Sequence, residues 1–125
     1  MDRKELEART RSLALRVFKP VDVLPNTLSG RAVAGQLARC ASSVGANYRT
    51  AGRGRSKREF AAKLGIAEEE ADETCYWLEL VIEGHILKPD VVHPLLSEAR
   101  EVTAIITAAR KTARINMRKQ ATQTD

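Results

Sequence analysis

The chain has no run of about 18 apolar residues, the length a membrane-spanning helix requires, so neither a transmembrane segment nor a membrane partner is expected. Its start, Met1-Asp2-Arg3-Lys4-Glu5, runs straight into charge and has no apolar stretch of the secretory type. A cytoplasmic location is the expectation. Aromatic residues make up 4% of the sequence, too few for the aromatic and β-branched runs that sheets favour. The two cysteines, Cys40 and Cys75, fit no metal-ligand spacing. Both sit in apolar, helical surroundings and are expected to be reduced core thiols. The two histidines, His85 and His93, flank a loop and have no nucleophile or carboxylate in a recognisable arrangement. No Glu-x-x-His occurs, although Glu68, Glu69, Glu70, Asp72, Glu73, Glu79 and Glu83 crowd one stretch. A di-metal bundle site therefore lacks its ligand set. Gly52 and Gly54 form only G-x-G, with no strand before them and no phosphate-loop lysine. Ser42 and Ser43 fall in mid-helix, away from any nucleophile elbow. No catalytic residue, cofactor or metal is assigned, and the protein is not expected to be an enzyme.

What the chain does contain is helix-forming composition and clear punctuation. At 125 residues it suits one domain, expected over residues 1–119, with a frayed tail at 120–125. The first apolar-periodic segment runs from about Asp2 to Phe18, with Leu6, Leu13 and Val17 at helical spacing, and Pro20 is expected to end it. The second starts at Thr27 or Ser29, either of which can cap it, and reaches about Thr50. Val33, Leu37, Val44 and Tyr48 line one face, and Ala34, Ala38, Ala41 and Gly45 an adjoining one. Glycine inside a helix costs roughly 1 kcal/mol against alanine, and close backbone packing offsets that cost. Two apolar faces on one helix suggest burial beyond a single bundle.

The third segment opens on Ser56-Lys57-Arg58-Glu59, a capping box in which Glu59 reaches back to the Ser56 amide. It carries Phe60, Leu64, Ala67, Ala71, Thr74, Leu78 and Val81 or Ile82 in a near-heptad stripe and stops at Gly84. The fourth begins between Asp90 and Pro94, with Pro94 tolerated only in the first turn. Four striped helices with short links predict an all-α fold, an antiparallel up-and-down four-helix bundle. Its surplus apolar faces predict a homo-oligomer built on segments two and three. Trp77, at the edge of the third stripe, either packs in the bundle or anchors a contact between subunits.

Charge is the remaining signal. The formal net charge is +5 with a pI near 9.6, a balance that favours polyanion partners. Arg49, Arg53, Arg55, Lys57, Arg58 and Lys63 place six positive side chains within fifteen residues, against Glu59 alone. They surround the start of the third segment, where free amides and the helix dipole add anion affinity. A second cluster, Arg110, Lys111, Arg114, Arg118 and Lys119, has no acid beside it in sequence. Antiparallel geometry would merge the two clusters at one end of the bundle, with the carboxylates of the third segment further along, solvated or paired to arginines of neighbouring helices. The partner expected is RNA or DNA, held by its backbone because stacking aromatics are scarce. The alternatives are an acidic protein partner and a merely solvated basic surface.

The run Arg39-Cys40-Ala41-Ser42-Ser43-Val44-Gly45-Ala46-Asn47-Tyr48-Arg49, followed by Arg55-Ser56-Lys57-Arg58-Glu59-Phe60 and by Ile66-Ala67 to Glu73-Thr74, resembles a known family. It is similar to the bacterial four-helix bundle proteins associated with 23S ribosomal RNA intervening sequences. The likeness covers nearly half the chain. Arg39, Ser43, Asn47, Arg55, Ser56, Glu59, Phe60 and Glu73 match the family pattern. Thr50 and Ala51 stand where the family often has Glu-Gly, and Cys40 replaces a common alanine. The resemblance implies a homopentameric bundle with no established molecular role, and a distant relationship to an accessory protein of a reverse transcriptase. The matching residues read as fold determinants: a capping box, core positions, and a buried polar pair such as Asn47 with Glu73.

Overall fold

A computed structural model of the chain describes residues 1–123. Four helices account for nearly all of them: α1 (Arg3–Asp22), α2 (Leu28–Ala51), α3 (Lys57–Glu83) and α4 (Pro89–Gln123). No strand occurs among the described residues. The helix starts follow local chemistry. Asp2 accepts the Glu5 amide at 2.9 Å, Thr27 the Gly30 amide at 3.0 Å, and Ser56 the Glu59 amide at 3.0 Å. Each satisfies an amide that has no partner within its own helix.

Helix ends depart from the expectations in four places. Pro20 does not end α1, which continues to Asp22. Within the last turn its missing N–H forfeits a single bond, and its buried ring joins the packed face. Pro94 lies in the second turn of α4, not the first. It forfeits the bond to the carbonyl of Asp90, an exposed residue that water can reach. The tail expected to fray from Gln120 is helical through Gln123, with the Thr122 hydroxyl bonded back to the Arg118 carbonyl at 3.0 Å. Residues 124–125 lie outside the described ones.

The fourth departure is the exit of α3. Gly84 remains right-handed at φ −83°, and His85 takes the left-handed conformation at φ 53°. The Ile86 amide donates to the Val81 carbonyl at 3.0 Å and the His85 amide to that of Ile82 at 3.1 Å. This is a Schellman closure with histidine at the position glycine usually takes. A Cβ in that region costs about 1 kcal/mol. His85→Gly is therefore expected to raise the thermal midpoint by a few degrees, and a lowered midpoint in a melting curve would contradict the assignment.

The core follows the predicted stripes. Leu13, Val17, Leu37, Val44, Leu64, Leu78, Val102 and Ile106 are almost completely excluded from solvent. The contacting helix pairs are α1 with α2, α2 with α3, α3 with α4, and α1 with α4. Particular side chains mark where the helices touch. The Arg3 guanidinium bonds the Gly52 carbonyl. Gly45 faces Thr10, where an added Cβ would sit 3.0 Å from the hydroxyl oxygen. Arg39 reaches Glu70 and Glu73, and the Cys75 thiol lies 3.7 Å from the Thr103 hydroxyl. The buried hydroxyl of Thr74 donates to the Glu70 carbonyl at 2.8 Å and approaches the Cys40 thiol at 3.3 Å. Both cysteines are free and buried, and burial pushes both thiols up from their usual range.

Several carboxylates clamp neighbouring helices together. Glu98 of α4 accepts two bonds from Arg9 of α1, at 2.7 and 2.8 Å, and Glu68 of α3 accepts one from Arg110 of α4 at 2.6 Å. The Arg9 bonds hold the Glu98 carboxyl below its usual range, against the opposing effect of burial. The Thr107 hydroxyl, and then Arg110, do the same for Glu68. In the unfolded chain these groups titrate near 4.5. On acidification the unfolded chain binds protons before the folded one. This stabilisation is therefore complete above the unfolded value and is lost as pH falls through the depressed folded values. The urea midpoint is expected to drop between about pH 6 and about pH 3, and Glu98→Gln to flatten that drop. Identical pH profiles for the two proteins would remove Glu98 from the account.

Candidate nucleic-acid interface

The α2–α3 connection is a short turn held by its own backbone. The Arg53 amide donates to the Thr50 carbonyl and the Gly54 amide to that of Ala51, each at 3.0 Å. This compact turn leaves Arg53 and Arg55 no inward direction, and both are exposed. Lys57 and Arg58, in the first turn of α3, are exposed as well, as is Arg49 in the last turn of α2. Lys63 is half-buried one turn further along α3. Among the described residues none of these six cations lies within ion-pair distance of a carboxylate.

The amides at the start of α3 are less available than the sequence suggests. Ser56 occupies the Glu59 amide, and Glu59 accepts from the Arg55 amide at 3.2 Å rather than from that of Ser56. The capping box is thus shifted by one residue at its return bond. The helix end offers its dipole, with fewer open donors for a phosphate.

A shallow recess is lined by Arg3 of α1, Arg55, Ser56 and Lys57 at the start of α3, Phe60 behind them, and Gln120 of α4. The chain start, the α2–α3 turn and the last turns of α4 therefore share one site. Arg3 belongs to this group and the sequence reading missed it. The basic N-terminus carried the signal, and the bond from Arg3 to the Gly52 carbonyl is what brings it here. Lys111, Arg114, Arg118 and Lys119 are exposed on α4, and Arg118 and Lys119 border Ile115 and Thr122 on its outer face. Arg110 differs from them. It is bound to Glu68, and its guanidinium lies over Gly65, 3.3 Å from where a Cβ would stand. That arginine serves the α3–α4 contact.

Of the residues matching the family pattern, Arg55, Ser56 and Phe60 line this recess, while Arg39, Ser43 and Asn47 lie along α2 and Glu73 along α3. Asn47 does not meet Glu73. Its amide donates to the Ser43 carbonyl at 2.9 Å. Glu73 instead accepts from Arg39 at 2.8 Å and from the Trp77 indole N–H at 3.4 Å. Arg39 also bonds Glu70, so one guanidinium ties α2 to two turns of α3. Phe60 packs half-buried against the core. Among the described residues no group of three histidines, cysteines or carboxylates is placed to hold a metal ion, and no helix is long and apolar enough to cross a membrane.

Comparison with known proteins bears on the same elements. No curated protein matches the chain. Among solved structures, a protein of unknown function from the S23 ribosomal protein family of Bacteroides thetaiotaomicron superposes with a TM-score of 0.81 at 28% identity, covering 89% of this chain and 99% of its own. The 23S rRNA-intervening sequence protein family matches residues 4–108, from the start of α1 into the second half of α4. With its four helices, its Arg39–Glu73 clamp and its capped α3 start inside that match, the chain belongs to the 23S rRNA-intervening sequence protein family.

Proposed function

We propose that the protein is a non-enzymatic, self-associating helical scaffold of the cytoplasm that holds RNA or DNA backbone on one basic end. The observation that carries this reading is the recess shared by Arg3, Arg55, Lys57 and Gln120, beside the exposed cations Arg49, Arg53 and Arg58. The paired registers of the helices support an antiparallel up-and-down bundle. In that arrangement the last turns of α4, with Arg114, Arg118 and Lys119, extend the same end. The carboxylates of α3 from Glu68 onward lie further along, several of them already matched to Arg39, Arg100 and Arg110. Exposed cations without carboxylate partners attract phosphates through counterion release, and the attraction is independent of base sequence. Tyr48 is buried and Phe60 half-buried, so base stacking adds little.

Purified protein is expected to bind RNA with log affinity falling linearly in log salt, with a slope of about −3 to −6 for that many phosphate contacts. A fluorescence-anisotropy titration across salt concentrations reads the slope directly. Absent or salt-insensitive binding to RNA and DNA would end the proposal. Nuclease-resistant capture of an acidic protein would favour the alternative, a protein-interaction module.

A further inference from the structure

A cavity of about 180 Å³ opens between α1 and α2. The side chains that leave this room are small: Ala14 of α1, and Gly45 and Ala46 of α2. Gly45 also sets how closely the two helices approach, since an added Cβ would stand 3.0 Å from the Thr10 hydroxyl oxygen. The volume is that of about six waters. It lies below the range of drug-sized sites and suits a single heterocyclic ring system.

Groups of both charges surround the space. Arg11 and Arg49 line it. Both are exposed, and among the described residues neither has an ion-pair partner. Glu7 and Ser42 line it as well. The Glu7 carboxylate lies 3.8 Å from the Arg3 guanidinium, too far for a hydrogen bond, so its oxygens can accept one from a ligand. The Ser42 hydroxyl donates to the Ala38 carbonyl at 2.8 Å, which leaves its oxygen an acceptor. A bare phosphate would match the arginines but would stand beside the Glu7 carboxylate. A nucleotide matches every group. Its phosphate meets the arginines, the N–H donors of its base edge meet Glu7 and Ser42, and its ring lies on the small residues.

The cavity adjoins the basic end. Arg3 lines the recess there and is the ion-pair partner of Glu7. Arg49, on the cavity wall, precedes Arg53 by a single helical turn. From Ala46 to Gly52 the rise along α2 is roughly 9 Å, which a strand crosses in about three nucleotides or fewer. A duplex cannot use the cavity, because its base edges are already paired with each other. A single strand can turn one base inward.

We infer that the α1–α2 cavity takes one unpaired nucleotide of a bound single strand, its phosphate between Arg11 and Arg49 and its base edge at Glu7 and Ser42. This subsite rests on the nucleic-acid reading of the basic end and adds a strand preference to it. Exposed cations alone supply none, because they attract the phosphates of any strand.

Fluorescence anisotropy of the full chain with a labelled RNA oligonucleotide, single-stranded and annealed to its complement, tests the subsite. Charge density by itself favours the duplex, so tighter binding of the single strand is the sign to look for. The unmodified protein is expected to hold the single strand about tenfold more tightly, the effect of one charge-assisted hydrogen bond. Ala46→Phe keeps every charge and places a ring where the base would lie. It is expected to abolish the preference and leave duplex binding as it was. Glu7→Ala separates a nucleotide from a bare phosphate. It is expected to lower the ratio of single-strand to duplex affinity about tenfold, whereas a phosphate held by the arginines alone would raise that ratio and overturn the assignment. Arg11→Gln is expected to reduce the single-strand salt slope by about 0.7 and leave the duplex slope unchanged. Ala46 and Arg11 are both exposed, and circular dichroism checks that each variant folds. Should Ala46→Phe not fold, the Glu7 and Arg11 variants decide. Absence of binding to either form would end the nucleic-acid reading and this subsite with it. Binding of both forms without a single-strand preference, or a preference that Glu7→Ala and Arg11→Gln leave unchanged, would overturn the subsite alone.

Discussion

Leu64→Ala is expected to lower the unfolding free energy by about 3–5 kcal/mol. Leu64 lies on the inner stripe of α3 with no exposed surface. Its neighbours along the stripe, Ala61, Ala67 and Ala71, are small and already buried. They cannot expand into the space left behind, so transfer and cavity terms both apply. Against a total stability of about 5–15 kcal/mol for a domain of this kind, that loss leaves the chain marginal. The measurement is a urea titration at fixed protein concentration, because the proposed self-association would stabilise the chain by mass action. A midpoint shift with an unchanged m-value is the expected form. Leu28→Ala is the control. Leu28 is 80% exposed, and its truncation is expected to stay within about 0.5 kcal/mol. A loss below about 1 kcal/mol for Leu64→Ala would mean that α3 does not close the core as described.

Replacing Arg53, Arg55 and Arg58 together with glutamine is expected to reduce the salt slope of RNA binding by about 2–3 and the affinity on the order of a hundredfold near 0.1 M salt. Each arginine is exposed and has no carboxylate within ion-pair distance among the described residues. The bond that Glu59 makes in this region is to the Arg55 backbone, which glutamine keeps. The fold is therefore expected to remain and only the proposed phosphate contacts to be lost. Arg110→Gln separates a helix-pairing arginine from those proposed to bind phosphate. It removes the partner of Glu68, so it is expected to act on stability and leave the slope nearly unchanged. An unaltered affinity in the triple variant would remove the α2–α3 turn from the interface.

Ser56, Thr27 and the stripe from Leu64 to Val81 show what local sequence can carry. A cap needs only a hydroxyl three residues before an open amide, and a stripe needs only periodicity. Both are interactions between close neighbours in the chain; the stripe and the Ser56 cap appear where the sequence places them, and between Thr27 and Ser29 the structure selects Thr27. Pro20, Pro94 and Gly84 mark the weak point of that reading. A breaking residue states a preference, and packing of its ring or a left-handed neighbour such as His85 decides where the helix stops. Asn47 and Glu73 fail for another reason. They lie on different helices, and Arg39 competes for the carboxylate at 2.8 Å.

Composition, periodicity and capping by themselves determined that this chain forms four helices, which faces they bury, and that positive charge concentrates around the α2–α3 turn and the late turns of α4. Those properties depend on residues a few positions apart, linked by short-range sterics and hydrogen bonding. Only the tertiary structure decided which charges are engaged. Arg110 is matched by Glu68, forty-two residues away, while among the described residues Arg53 and Arg58 have no carboxylate within ion-pair distance. Arg3 reaches the recess beside Arg55 and Lys57 from the start of the chain. The same packing brings Arg11 and Arg49 to one cavity. Long-range electrostatics and exposure depend on where helices meet, and that is set by the summed burial of all four.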